Sequence, residues 1–71
     1  PGIVRRAGRW GSYGKMVEIA HGYGVTTRYG HMDRVVVEVG DIVDVGQPIG
    51  VQGNTGRSAS DHLHYEVRFR D

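Results

Sequence analysis

The sequence predicts an all-β fold, a compact antiparallel sheet or sandwich, and three observations support this. Twelve of the 71 residues are glycine, well above the roughly 7% average for proteins, and they interrupt nearly every stretch that could continue as a helix. The stretches between the glycines are short and rich in β-branched residues, as strands are. The end of the chain alternates apolar and polar residues, which is typical of a half-buried strand.

Four internal runs have the composition and spacing of strands joined by turns. They are residues 16–21, 25–29, 35–39 and 48–51. Residues 21–24 are predicted to form a hairpin connection, because glycine supplies the positive φ angles that short turns require. A second turn is predicted over residues 43–48, where Pro48 cannot donate a ladder hydrogen bond and therefore opens a strand or lies at an edge.

The closing strand is predicted over residues 62–69. Its apolar positions are Leu63, Tyr65, Val67 and Phe69, and the polar positions between them are His62, His64, Glu66 and Arg68. In a helix the apolar residues would spread around the circumference, so the alternation favours a strand. One face should then pack in the core while the other presents ionisable groups.

Length, charge and cysteine content limit the possible functions. We expect residues 1–71 to form a single domain, and one this short buries only about 60% of the surface that its unfolded chain exposes. The chain has no cysteine, so any metal site must use histidine and carboxylate ligands. A net charge of +1 is too small for a dedicated nucleic-acid binder, and no apolar run approaches the roughly 18 residues of a membrane span.

The histidines are the candidate functional residues. On a strand, His62 and His64 would lie on one face about 7 Å apart, so both could approach one zinc ion, or one could bind it while the other serves a metal-bound water. His31 follows a glycine at the end of a predicted strand, where a ligand can approach closely. The alternatives are surface histidines that are solvated or hydrogen-bonded, and for His21, at a turn, this alternative is the stronger.

Glu66 shares the predicted face of the two closing histidines. Its carboxylate could orient an imidazole from behind, as carboxylates do for metal-binding histidines. The alternative, at least as well supported, is a surface ion pair with Arg68 or with an arginine of a neighbouring strand.

Residues 62–66, His-Leu-His-Tyr-Glu, resemble the H-L-H-[FY]-E signature of the lysostaphin-type (LytM-like) peptidases. Other segments resemble further blocks of that family in the same order: residues 11–15, 29–32, 39–43, 46–50 and 53–58. The resemblance covers essentially the whole chain. It implies a fold of the duplicated-hybrid-motif type that is incomplete at its N-terminus.

The resemblance also implies an activity, that of a zinc metalloendopeptidase acting on peptide stems or cross-bridges of bacterial peptidoglycan. The partner would be a peptidoglycan peptide, and the location the bacterial cell envelope, either periplasmic or extracellular. By the same resemblance His64 matches a zinc ligand. His31 and His62 match the two non-ligand histidines that assist the zinc-bound water and stabilise the transition state.

One part of the family pattern is absent from these residues. The upstream H-x-x-x-D motif that supplies the other two zinc ligands is not in the sequence, and we expect it to precede Pro1 in the native protein. Without that segment the chain should hold zinc poorly and be inactive, because catalytic zinc normally has three protein ligands. The alternative is a degenerate, non-catalytic module that binds wall material or activates an amidase.

A carrier domain for lipoyl or biotinyl groups is a further alternative, suggested by residues 39–49. Such carriers need a modifiable lysine at the tip of a hairpin. The only lysine, Lys15, precedes these segments, so this interpretation is disfavoured.

Overall fold

The computed structural model describes residues 1–52 and 64–69, with the main chain alone at Gln52 and His64. These residues form one antiparallel sheet of six strands. The strands are β1 (Gly2–Arg9), β2 (Lys15–Gly22), β3 (Val25–Val35), β4 (Ile42–Val43), β5 (Gly50–Gln52) and β6 (His64–Phe69), and a 3₁₀ turn (Gly11–Tyr13) connects β1 to β2. The predicted all-β antiparallel fold is confirmed, and no helix in the described part of the chain is long and apolar enough to cross a membrane.

Strand β3 organises the sheet because it is long enough to take two partners along one edge. The strand order is β4-β1-β2-β3-β5, and β6 also pairs with β3. The first part of β3 pairs with β6, from Val25 opposite Phe69 to Gly30 opposite His64. The last part, from Met32 to Val35, pairs with β5. Strands β5 and β6 therefore lie end to end along the same edge of β3.

The two faces of the sheet differ in chemistry. One face carries the apolar core, in which the buried side chains are Val4, Val17, Ile19, Met32, Val37 and Val43. Because side chains alternate along a strand, Glu18 lies between Val17 and Ile19 but on the opposite face. Glu18 and Arg28 are both buried there, so the second face has a polar interior of its own.

Both predicted turns are confirmed. In the β2–β3 hairpin, Tyr23 and Gly24 have φ angles of 56° and 78°, the pair of positive values that a type I′ turn requires. In the second turn the Gln47 N–H donates to the Asp44 carbonyl at 3.1 Å, and Gly46 has a φ of 82°.

The predicted strand over residues 35–39 is wrong beyond Val35, where β3 ends. The Val36 N–H still donates to the Ile49 carbonyl at 3.0 Å, but the Asp41 N–H then closes a turn onto the Glu38 carbonyl, also at 3.0 Å. Val37 nevertheless enters the core. The β-branched residues in 35–39 thus indicate a buried position at Val37 and do not indicate a strand.

Strands β1 and β4 were not predicted, and for β1 the reason is visible in its pairing. Its register with β2 shifts between Val4 and Arg6, and a bulge of this kind breaks the alternation by which strands are recognised. Strand β4 has only two residues, Ile42 and Val43, which is too short for any periodic signal.

The hairpin tip offers a test of the turn geometry. Tyr23 is 96% exposed and takes a left-handed conformation that costs an ordinary residue about 1–2 kcal/mol. We expect Tyr23→Asn to raise the free energy of unfolding by about 0.5–1 kcal/mol, because asparagine followed by glycine is preferred in type I′ turns. Tyr23→Val should lower it instead. Denaturant unfolding measures both variants, and equal stabilities would contradict the assigned turn.

Candidate active site

His31 lies at a β-bulge. In the pairing of β2 with β3, Val17 is opposite Tyr29 and Lys15 is opposite Met32. Two residues of β3, Gly30 and His31, therefore face the single residue Met16. Bulges are frequent beside active sites, where they change the direction of a side chain.

The backbone of His31 is strained as well. Its φ angle is 57°, a left-handed value that costs an ordinary residue about 1–2 kcal/mol. His31 and Tyr23 are the only non-glycine residues with a positive φ in the part of the chain that the structure describes. Tyr23 is explained by its turn, whereas His31 lies inside the sheet and is half-buried. Strain that the fold maintains within a sheet clusters at functional sites.

Strand β6 brings the closing histidine motif next to this bulge. His64 is the first residue of β6, and it pairs with Gly30, the residue immediately before His31. Two of the three predicted site residues are therefore adjacent in the sheet. His62 lies outside the described residues, so the shared cleft expected for His62 and His64 stays a prediction.

The described residues do not complete a metal site. Within residues 1–52 and 64–69, no three histidine or acidic residues lie close enough together to hold a metal ion. His62 and the side chain of His64 are not among the residues compared.

His21 has a structural role. Its ring lies at the far end of the β2–β3 hairpin, with Nε2 2.8 Å from the Thr27 hydroxyl and Nδ1 3.3 Å from the Pro1 carbonyl. A neutral imidazole satisfies both contacts when Nδ1 donates to the carbonyl and Nε2 accepts from the hydroxyl. His21 also lines an apolar pocket of about 480 Å³ on the core face.

The contacts of Glu66 are those of the second alternative, an ion pair with neighbouring arginines. Its Oε1 accepts a hydrogen bond from the Tyr13 hydroxyl at 2.8 Å and one from Arg68 Nη1 at 3.4 Å. Arg28 Nη1 is 4.0 Å from the same oxygen. The carboxylate thus joins β6 to β3 and to the 3₁₀ turn.

These contacts belong to a row of alternating charges that crosses four strands, which we call the arginine–glutamate ladder. Its members in order are Arg6 on β1, Glu18 on β2, Arg28 on β3, and Glu66 and Arg68 on β6. Each oxygen of the Glu18 carboxylate accepts from one arginine Nε, at 3.0 Å from Arg6 and 2.8 Å from Arg28. The ladder was not predicted, because only strand pairing reveals which charges are neighbours.

The environment of Arg28 favours its charged form. Burial of the guanidinium works to lower the pKa of Arg28, but the hydrogen bonds to Glu18 and Tyr13 outweigh it and raise that pKa above its usual value. Arg28 therefore remains a cation, and its strong hydrogen bonds to charged and polar partners are maintained.

Aromatic rings pack against Arg6 and Arg28, two of the arginines of the ladder. The Trp10 ring stacks on Tyr13 with centroids 5.4 Å apart and an angle of 10° between the planes. The guanidinium carbons of Arg6 and Arg28 lie 4.3 and 4.9 Å from the Trp10 ring centroid. Cations in this position are attracted to the ring face, so Trp10 helps to hold both arginines in place, and Tyr13 supports the Trp10 ring.

Comparison with known proteins relates the whole chain to one peptidase family. The model of peptidase family M23 matches residues 1–71. The peptidoglycan DD-endopeptidase ShyA of Vibrio cholerae is 47% identical over 57 residues, which are 80% of this chain and 13% of that protein. The chain spans between 12% and 16% of the length of such curated relatives.

Two solved structures share the fold closely. A zinc containing peptidase from Vibrio cholerae superimposes with a TM-score of 0.91 at 38% identity, covering 97% of this chain and 21% of that one. The catalytic domain of lysostaphin from Staphylococcus simulans superimposes with a TM-score of 0.94 at 32% identity, covering 99% of this chain and 54% of that one. The sheet described above is therefore the sheet of these peptidase domains.

Proposed function

The chain belongs to peptidase family M23, and from this premise we propose that its protein is a zinc metalloendopeptidase that hydrolyses peptide bonds in bacterial peptidoglycan. One relative is named as a peptidoglycan DD-endopeptidase, and one structural neighbour as a zinc containing peptidase; both support the proposal. A substrate of this kind places the protein in the cell envelope, periplasmic or extracellular.

A single structural observation carries the proposal. At the bulge formed by Gly30 and His31, the backbone of His31 is strained. This histidine lies beside His64, the first residue of β6. A half-buried histidine held in a conformation that costs free energy indicates that its position is used. The H-x-H motif alone leaves open a pair of surface histidines, whereas the bulge supplies an independent reason for a site here.

The residues take different roles in the proposal. His64 contributes one zinc ligand, and residues of the protein outside this sequence contribute the others. Zinc, when bound, supplies a Lewis acid for the scissile carbonyl and a water of lowered pKa. His31 and His62 handle protons: a neutral imidazole accepts a proton from the attacking water, and an imidazolium stabilises the developing oxyanion or protonates the leaving amine.

The test compares two histidines of the same β2–β3 hairpin in the full-length protein. His31→Ala should retain bound zinc but lower kcat on purified cell walls by at least about 10²-fold, the usual contribution of a positioned acid or base. His21→Ala is the matched control and should retain both zinc and activity. Metal analysis and loss of wall turbidity measure the two properties.

The opposite results are informative. A His31→Ala variant with wild-type turnover would remove the catalytic role of the bulge. Wild-type protein that binds wall material without cutting it would favour the non-catalytic, amidase-activating module over the hydrolase.

A further inference from the structure

We propose that Glu66, held by Tyr13 and Arg28, sets the register of β6 on β3 and thereby positions His64 beside the bulge. The three would be positioning residues, since they act on the strand and not on the substrate. The consequence for catalysis rests on the proposed function, whereas the consequence for the register of β6 does not.

Burial of apolar side chains specifies the register of β6 only weakly. Its apolar residues Tyr65, Val67 and Phe69 are 55%, 62% and 65% exposed, so the prediction that this face packs in the core is wrong for the described residues. Register is well specified where one face of a strand is buried, because a slip of one residue moves every side chain to the other face. Here such a slip would forfeit little apolar burial in the part of the chain that the structure describes. The Tyr65 ring packs on Tyr29 of β3 with centroids 5.2 Å apart, and a second, more directional interaction selects the observed pairing.

The polar face of β6 provides that interaction. The side chain of Glu66 is only 29% exposed, and Glu66 lies directly opposite Arg28 in the register. Its carboxylate accepts from the Tyr13 hydroxyl at 2.8 Å, and that hydroxyl accepts in turn from Arg28 Nη1 at 3.2 Å. Tyr13 thus bridges the guanidinium of β3 and the carboxylate of β6.

The anchor for Glu66 is rigid because its two partners are themselves fixed. Arg28 donates through Nε to the buried Glu18 at 2.8 Å, and the ring of Tyr13 stacks on Trp10. Because Tyr13 and Arg28 are each held by other side chains, the donors that they offer to Glu66 have fixed positions. Glu66 can satisfy its carboxylate there only when β6 has the observed register.

The register of β6 decides where His64, the proposed zinc ligand, lies along β3. With Glu66 opposite Arg28, His64 is opposite Gly30 and next to the bulge at His31. A shift of one residue would bring Tyr65 or Val67 opposite Arg28 and leave the Glu66 carboxylate without these partners. It would also displace His64 by one position along β3. A ligand displaced in this way weakens both metal binding and the alignment with His31.

We call the contacts of Glu66 with Tyr13 and Arg28 the tether. The experiment uses the full-length protein with two substitutions in the tether and one control. Tyr13→Phe removes only the bridging hydroxyl, and Glu66→Leu removes the carboxylate. Arg5→Ala is the control, because Arg5 is an exposed arginine on β1 that lies outside the ladder. For both tether variants we expect kcat and zinc affinity to fall about 10–100-fold, the usual effect of residues that orient a metal ligand, while KM stays within about twofold.

A second readout does not depend on activity. Hydrogen exchange of the residue 64–69 amides should accelerate about tenfold in Tyr13→Phe and Glu66→Leu, because the strand opens or shifts more often. In Arg5→Ala it should match the wild type. Glu66→Gln keeps the acceptor for Tyr13 and should lose less turnover than Glu66→Leu.

The outcomes separate this proposal from the proposed function. Wild-type exchange in β6 of both tether variants, or an equal loss of kcat in Arg5→Ala, would overturn the positioning role. If the wild-type protein neither binds zinc nor cuts cell walls, the proposed function fails. The exchange measurement then still decides whether the tether sets the register.

Discussion

Replacement of His64 by alanine in the full-length protein is expected to abolish stoichiometric zinc binding and to lower kcat/KM by about 10³-fold or more. The metal's stabilisation of transition-state charge is worth several kcal/mol, and each 1.36 kcal/mol corresponds to about tenfold in rate. A catalytic zinc with three protein ligands that loses one of them is held far less tightly. The expected loss therefore exceeds that of His31→Ala, which removes a proton-handling group and leaves the metal in place.

Metal content per protein and turbidity loss of purified walls, measured on the same preparations, check this prediction. His21→Ala serves as the control, because its imidazole hydrogen-bonds to Thr27 and Pro1 among the described residues, away from the bulge. Circular dichroism of each variant shows whether the sheet is retained. Full zinc occupancy and wild-type activity in His64→Ala would overturn the assignment of His64 as a ligand.

Replacement of Glu18 by alanine is expected to lower the free energy of unfolding by about 3–5 kcal/mol, the usual cost of removing one partner of a buried ion pair. The Glu18 side chain is 4% exposed and each of its oxygens accepts from an arginine. Without it, the buried Arg28 keeps its charge but loses its closest partner. Water cannot readily replace that partner, because Arg28 is itself buried.

Denaturant unfolding measures the effect, with Glu38→Ala as the control. Glu38 is an exposed glutamate, and substitutions at such sites usually change stability by no more than about 0.5 kcal/mol. A double variant, Glu18→Leu with Arg28→Met, should recover most of the loss, since buried ion pairs are often replaceable by apolar residues of similar volume. A cost for Glu18→Ala within the range of the control would show that the ladder contributes no stability at β2.

The elements that the sequence predicted correctly are those with local signals. The hairpin at residues 21–24 follows from glycines that permit positive φ angles. The alternation of apolar and polar residues after residue 62 predicts a strand but does not identify the strand with which it pairs. Residues 35–39 show the limit of composition: Val37 is buried, yet it lies outside any strand, because hydrogen bonds around Glu38 and Asp41 close a turn.

The fold class, both turns, the three candidate histidines and the resemblance to a family could all be inferred from the order of the residues. The bulge that brings His31 next to His64, and the place of Glu66 in a ladder of charges, became visible only in the folded sheet. A bulge is a mismatch between two strands, and the ladder joins residues of different strands, such as Arg28 and Glu66, that are far apart in the sequence. Such features depend on which strands pair and in which register, and that is settled by the free energy of the assembled sheet, not by the preferences of any single segment.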